Sequence, residues 1–154
     1  MLSRLELKIM PMVLVLIFAL AMAALKWALP AVNLLLPLNG LLGVGLILLG
    51  VAIVLAGGWA FRQAQTTFNP RTPDAARELV VSGVYRYSRN PMYLGFLLVL
   101  IGWADLLANL ASFAMLPLFV LYLNRFQIQP EERSMHALFG ADFARYCQQV
   151  RRWI

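Results

Sequence analysis

Residues 91–124 read PMYLGFLLVLIGWADLLANLASFAMLPLFVLYLN, 34 positions carrying a single charge, Asp105. As one straight helix they would reach about 51 Å, too long for the roughly 30 Å hydrocarbon core of a bilayer and too short for two full crossings. A tight helical hairpin resolves the length. Its turn is expected between Trp103 and Ser112, where Asn109 and Ser112 offer turn chemistry, with Asp105 assigned to the outer turn. Two short or tilted legs follow, at about 91–106 and 110–126.

A hairpin returns the chain to the face it left, so the polar stretches flanking it meet the same side of the membrane. Upstream lies Gly83-Val84-Tyr85-Arg86-Tyr87-Ser88-Arg89-Asn90, running into Pro91-Met92-Tyr93-Leu94-Gly95. Pro91 suits a first helical turn and Asn90 is a good cap. Arg89 then stands beside a helix N-terminus, where unpaired N–H groups and a partial positive charge favour a carboxylate or phosphate. Tyr85, Tyr87 and Tyr93 add aromatic faces and hydroxyls able to hold an adenine, a ribose or a cationic sulfonium. Downstream, Glu131 and Glu132 follow Pro130 at a helix start, where carboxylates are stabilised and could also bind an amino group or ribose hydroxyls. Each residue has a plainer use as well. Arginine and tyrosine at a span boundary serve the charge rule and the aromatic belt, and a glutamate pair in a first turn serves the helix dipole.

Composition sets the surroundings. A chain of 154 residues that is 62% hydrophobic and 13% charged, with mean hydropathy +0.75, has more apolar surface than a soluble core of its size can hide. Its net charge of +6 would suit nucleic acid, but the basic residues lie in short segments between apolar spans and read as topology signals, so no nucleic-acid partner is expected. Two further spans are expected at about 10–29 and 40–61, joined by a turn at Pro30, Asn33, Pro37, Asn39 and Gly40. Residues 62–90 form a polar loop with five arginines, broken by Pro70 and Pro73. In the tail, 127–154, the spacing of Met135, Leu138, Phe139, Phe143, Tyr146 and Val150 predicts one or two amphipathic surface helices, with Gly140 as an interruption.

The expected fold is therefore an all-α integral membrane protein of four transmembrane helices, including the hairpin, in a single domain over 1–154. Of the 13 lysines and arginines, 12 fall on one side of such an arrangement and only Lys26 on the other. Both termini and the 62–90 loop are then expected in the cytoplasm, at the cell membrane. Glycines in the second span, Gly43, Gly45 and Gly50, are expected to serve helix packing. His136 has no partners at metal-ligand spacing, so no metal site is expected, and Cys147 has no obvious base beside it.

The run from Phe68 through Pro70, Pro73, Leu79-Val80, Gly83-Val84-Tyr85-Arg86 and Arg89-Asn90-Pro91-Met92-Tyr93-Leu94-Gly95 resembles the isoprenylcysteine carboxyl methyltransferase and phospholipid methyltransferase superfamily. The tail pattern Glu131-Glu132-Arg133, Phe139-Gly140, Phe143, Tyr146, Val150 and Arg151 or Arg152 is similar to its second motif. The likeness covers roughly residues 66–154. It implies a membrane enzyme that binds S-adenosylmethionine on the cytoplasmic side and methylates a lipophilic small molecule or lipid, at a carboxylate, thiol or amine. Arg89, Asn90, Pro91 and Tyr93 fall on the family's Arg-His-Pro-x-Tyr element, with Asn90 in place of a histidine found in many members. Glu131 and Glu132 fall on its Glu-Glu element. The resemblance thus assigns Tyr85, Arg89, Asn90, Pro91, Tyr93, Glu131 and Glu132 to the methyl donor, with Arg89 and Glu132 as the catalytic pair. Arg89 is expected on an anionic group and Glu132 on the donor's amino or ribose groups. A small transporter subunit or a noncatalytic membrane scaffold is the alternative, the former weakened by the lack of an ionisable residue within the expected spans.

Overall fold

The computed structural model describes residues 6–34, 39–64 and 78–154. The expected turn residue Pro37 and the loop residues Phe68, Pro70 and Pro73 lie outside them. All the regular structure among the described residues is helical: α1 (Pro11–Ala28), α2 (Asn39–Gln63), α3 (Pro91–Leu107), α4 (Leu110–Leu123) and α5 (Gln129–Gln149). Short 3-10 turns occupy Pro30–Val32 and Gly83–Arg86. Helices α1 and α2 and the run beginning at Leu110 are long and apolar enough to cross a membrane, and α3 is a shorter apolar helix. These four segments follow the expected spans to within a few residues.

Pro11 starts α1 and Pro91 starts α3, each where its missing N–H costs no helical bond. The hairpin turn is tight, because Ala108 adopts a left-handed conformation (φ 48°) and Asn109 caps α4 by accepting from the Ser112 N–H at 3.1 Å. Asn109 is wholly buried, yet its amide is satisfied: it donates to the Leu29 carbonyl at 3.0 Å and to Asn33 Oδ1 at 2.9 Å. One side chain therefore ties the hairpin tip to the α1–α2 connection. Asp105 corrects the sequence reading. It lies inside α3 rather than in the turn, 5% exposed, with Oδ2 unpartnered beside Gly43 of α2. It stands about a turn from the hairpin tip and does not line the cavity described below.

The core is formed by α1, α3 and α4: Leu14 and Met22, Leu100 and Ala104, and Phe119 and Leu123, with Phe18 edge-on to Phe119. Trp103 Nε1 donates to the Ala19 carbonyl and Ser112 Oγ to that of Met22, satisfying polar atoms that lipid could not. Helix α2 packs along α3 instead. Gly43 meets Gly102 and Gly50 meets Gly95, so close that a Cβ at Gly50 would lie 2.5 Å from the Gly95 carbonyl oxygen. Gly45 faces open space, so the packing expected of all three glycines belongs to Gly43 and Gly50 alone. Outward-facing Leu16, Leu20, Leu41, Leu48, Leu55 and Leu121 are exposed, as a lipid-facing surface requires.

The tail helix runs on from α4 without a loop. Asn124–Ile128 form a π-helical turn, fastened by Gln127 Nε2 to the Ile9 carbonyl at 2.7 Å and by the Leu7 N–H to the Phe126 carbonyl at 3.0 Å. Glu6 pairs with Arg125 at 2.7 Å and also with Arg133. Helix α5 breaks where sequence placed an interruption, at Gly140 (φ 47°, ψ −116°), a conformation that a side chain would strain.

Candidate active site

At one end of the bundle the start of α1, the last turns of α2, the start of α3 and both halves of α5 surround a cavity of about 240 Å³. Met10 and Met12, Val54 and Phe61, and Met92 and Phe96 give it apolar walls, while Arg89, Asn90, Tyr93, Glu131 and Glu132 give it one polar end. Helix α1 makes its main helix contacts with α3 and α4, and α2 makes its own with α3.

Glu132 is held by two guanidinium groups. Arg89 Nη2 donates to its Oε1 at 2.8 Å, and Arg152 donates through Nε to Oε1 at 3.1 Å and through Nη2 to Oε2 at 2.6 Å. Burial by itself would raise the Glu132 pKa, but the bonds and charges of Arg152 and Arg89 outweigh it and hold the carboxyl below its usual range. Arg89 is also a clamp on the tail. Its Nη1 donates to the Val150 carbonyl at 2.7 Å and to the Cys147 carbonyl at 3.2 Å, and its Nε is buried without a partner. The neighbouring residues do the same work: the Arg89 N–H donates to the Arg151 carbonyl at 3.0 Å, and Asn90 Nδ2 to the Arg152 carbonyl at 3.0 Å. Ser88 Oγ accepts from the Asn90 N–H at 3.1 Å, so Asn90's own side chain does not cap α3.

Glu131 differs from its neighbour. Its Oε1 accepts from the Tyr93 hydroxyl at 2.5 Å. Burial, with the Glu132 charge adding to it, pushes its carboxyl up to about 7 against the downward pull of the Tyr93 bond. Tyr85 is buried against Ala60 and Val80 and edge-on to Phe61, and its carbonyl accepts from the Tyr146 hydroxyl at 2.7 Å. Burial raises the pKa of both phenols, so they stay neutral.

Of the residues assigned from sequence, Tyr85, Arg89, Asn90, Tyr93, Glu131 and Glu132 all line this cavity, whereas Pro91 is buried and does not line it. Tyr87 is 79% exposed and lies outside, so the aromatic face expected of it is not part of the cavity. Cys147 is partly buried and burial raises its thiol pKa. Sequence reasoning missed Arg152 as the second cation on Glu132, and the contributions of Met10, Met12, Val54 and Phe61. A basic residue in an extended tail carries no helical phase that would aim it at Glu132, and apolar residues in a span do not announce which face lines a cavity.

The family model for phospholipid methyltransferase matches residues 38–142. An uncharacterized protein of Haemophilus influenzae is 41% identical over 63 residues, which is 41% of this chain and 100% of that protein. Protein-S-isoprenylcysteine O-methyltransferase of Saccharomyces cerevisiae is 39% identical over 75 residues, 47% of this chain and 30% of the yeast protein. The match thus spans less than a third of the yeast enzyme's length. No solved structure matches the chain. With more than half of its length matched, and the matched span holding α2, the hairpin and the Glu131-Glu132 pair, the chain belongs to the phospholipid methyltransferase family.

Proposed function

We propose that this chain is a membrane methyltransferase that uses S-adenosylmethionine to methylate a lipophilic acceptor reaching the cavity from the bilayer. The observation that carries the reading is the two-ended cavity: apolar where α1, α2 and α3 contribute, polar where Arg89, Tyr93, Glu131 and Glu132 converge. The chemistry of the lining fits such a donor. Buried Tyr85, Phe143 and Tyr146 offer faces for an adenine or a sulfonium. The acidic pair suits an amino group and ribose hydroxyls, and the orphaned Arg89 Nε suits a carboxylate.

When bound, the donor supplies an already activated methyl group, so the chain's own task is to position the reactants and exclude water. Alignment of that kind lowers a barrier by about 7–11 kcal/mol relative to a bimolecular encounter. Arg89 and Glu132, bound to one another and to the tail, hold the polar end rigid, and Tyr93 and Tyr85 shape the space above it. The acceptor enters from the bilayer at the apolar end, between Met10 and Met12 at the start of α1 and Val54 and Phe61 of α2. We place this site on the cytoplasmic face of the cell membrane, with both termini inside, from the distribution of arginine and lysine.

Calorimetry with S-adenosylmethionine on detergent-solubilised protein tests the reading. Saturable one-to-one binding, lost in folded Arg89→Ala and Glu132→Ala, is the expected result. Absence of binding by the parent protein overturns it in favour of a noncatalytic scaffold.

A further inference from the structure

Three carboxylates line the cavity, and their surroundings differ. Glu132 has both oxygens occupied by guanidinium donors. Glu78 is exposed to solvent. Glu131 has neither fate: its Oε1 accepts the Tyr93 hydroxyl, and no arginine or lysine among the described residues pairs with it. The groups facing it are Tyr93 from α3, Tyr85 from the 3-10 turn, and Glu132 with its two arginines. From α1 and α2 come only uncharged side chains, Met10, Met12, Val54 and Phe61.

We propose that Glu131 is the proton acceptor of the reaction, taking the proton that the acceptor's nitrogen or sulfur must lose, with Tyr93 as the positioning residue that holds its carboxyl. The inference rests on the methyltransferase reading above. The acceptor enters as an ammonium or a thiol and passes one proton to Glu131 Oε2. The lone pair left on nitrogen or sulfur forms the new bond to the methyl carbon, while the electron pair of the carbon–sulfur bond withdraws to the donor sulfur. The products are a methylated acceptor, a neutral thioether and a protonated Glu131, which later returns its proton to solvent.

The geometry separates acceptor classes. A carboxylate acceptor has no proton to lose and would be repelled by Glu131, whereas a group that carries a proton is drawn to it. A base serves best when its pKa lies near the working pH, and burial moves Glu131 in that direction. Glu132 is moved the other way, and both its oxygens already accept from guanidinium groups that hold it ionised and unbasic.

Two measurements decide it. Infrared pH titration of the donor-free full chain is expected to show a carboxylic acid band that disappears around neutral pH. That band should be missing in Glu131→Gln. It should titrate at higher pH in Tyr93→Phe, because the Tyr93 hydroxyl favours the ionised form. A merely structural role for Tyr93 would not move that midpoint. With octylamine and octanethiol as probe acceptors, Glu131→Gln should lose on the order of 100-fold or more in turnover, measured at saturating donor so that any weakening of donor binding does not enter. Unaltered turnover, or a neutral-range band that persists in Glu131→Gln, overturns the inference. Turnover that returns to the parent's value once Glu131→Gln is saturated with donor also overturns it, by making this residue a donor ligand only, and leaves the methyltransferase reading standing. A parent protein that binds no donor overturns that reading instead.

Discussion

Glu132 between Arg89 and Arg152 shows how much a local charge pattern leaves open. Arg89 was expected beside an anion and Glu132 beside a cation, and each finds its opposite in the other, 43 positions away. Arg89 is 13% exposed at the side chain, so removing it leaves Glu132 with Arg152 as its single cation and strands two backbone carbonyls in a partly dry place. Arg89→Ala should cost about 2–4 kcal/mol, read as a lower thermal midpoint in detergent. Arg89→Lys should recover only part of this, because an ammonium cannot reproduce the fork that reaches Glu132 and the tail together. Glu131 carries a prediction of opposite sign. Below pH 4.5 both folded and unfolded chains hold its proton. Between there and about 7 the unfolded chain ionises while the folded one does not, so rising pH favours unfolding. Glu131→Gln should therefore gain on the parent across that window, by on the order of 3 kcal/mol above neutrality, and show no gain in acid. Thermal unfolding of both proteins at matched pH values checks the sign.

At the scale of elements, the helices were legible because each has a local cause. Pro11 and Pro91 set two starts, Asn109 caps α4, and runs of uncharged residues matched to a bilayer set the lengths. Which face of α2 is covered had no such cause in the residues around it. The seven-residue spacing of Gly43, Gly50 and Gly57 is visible in the sequence, yet Gly40, Gly45 and Gly58 lie in the same helix and meet nothing within 4 Å. Gly50→Leu should thus destabilise by about 2 kcal/mol or more through overpacking, while Gly45→Leu should leave stability nearly unchanged, as measured by unfolding in detergent. The π-helical turn was not legible either. It depends on partners from the N-terminal residues, Glu6, Leu7 and Ile9, and so on contacts distant in sequence.

For the whole molecule, the α1 start, the α3 start and α5 share one end, while Leu29, Asn33 and Asn109 share the other. If the charge rule sets the orientation, a reporter fused after Ile154 should report the cytoplasm, and one inserted at Gly40 the outside. The tail belongs to the site rather than trailing from it: Val150, Arg151 and Arg152 all lend carbonyls to the Ser88–Asn90 segment, and Trp153 Nε1 donates to Asn124 Oδ1. Deleting residues 150–154 should therefore abolish donor binding in calorimetry without removing the helical signal in circular dichroism. Sequence alone determined that this chain is helical, lives in a membrane, folds back through a hairpin and presents two polar clusters at one face, because hydrophobic length, proline placement and charge distribution act through near neighbours. Tertiary structure decided which carboxylate is neutralised and which is left unpaired, because that depends on the arrival of Arg152 and Tyr93 from distant parts of the chain and on the dielectric that the assembled helices create around them.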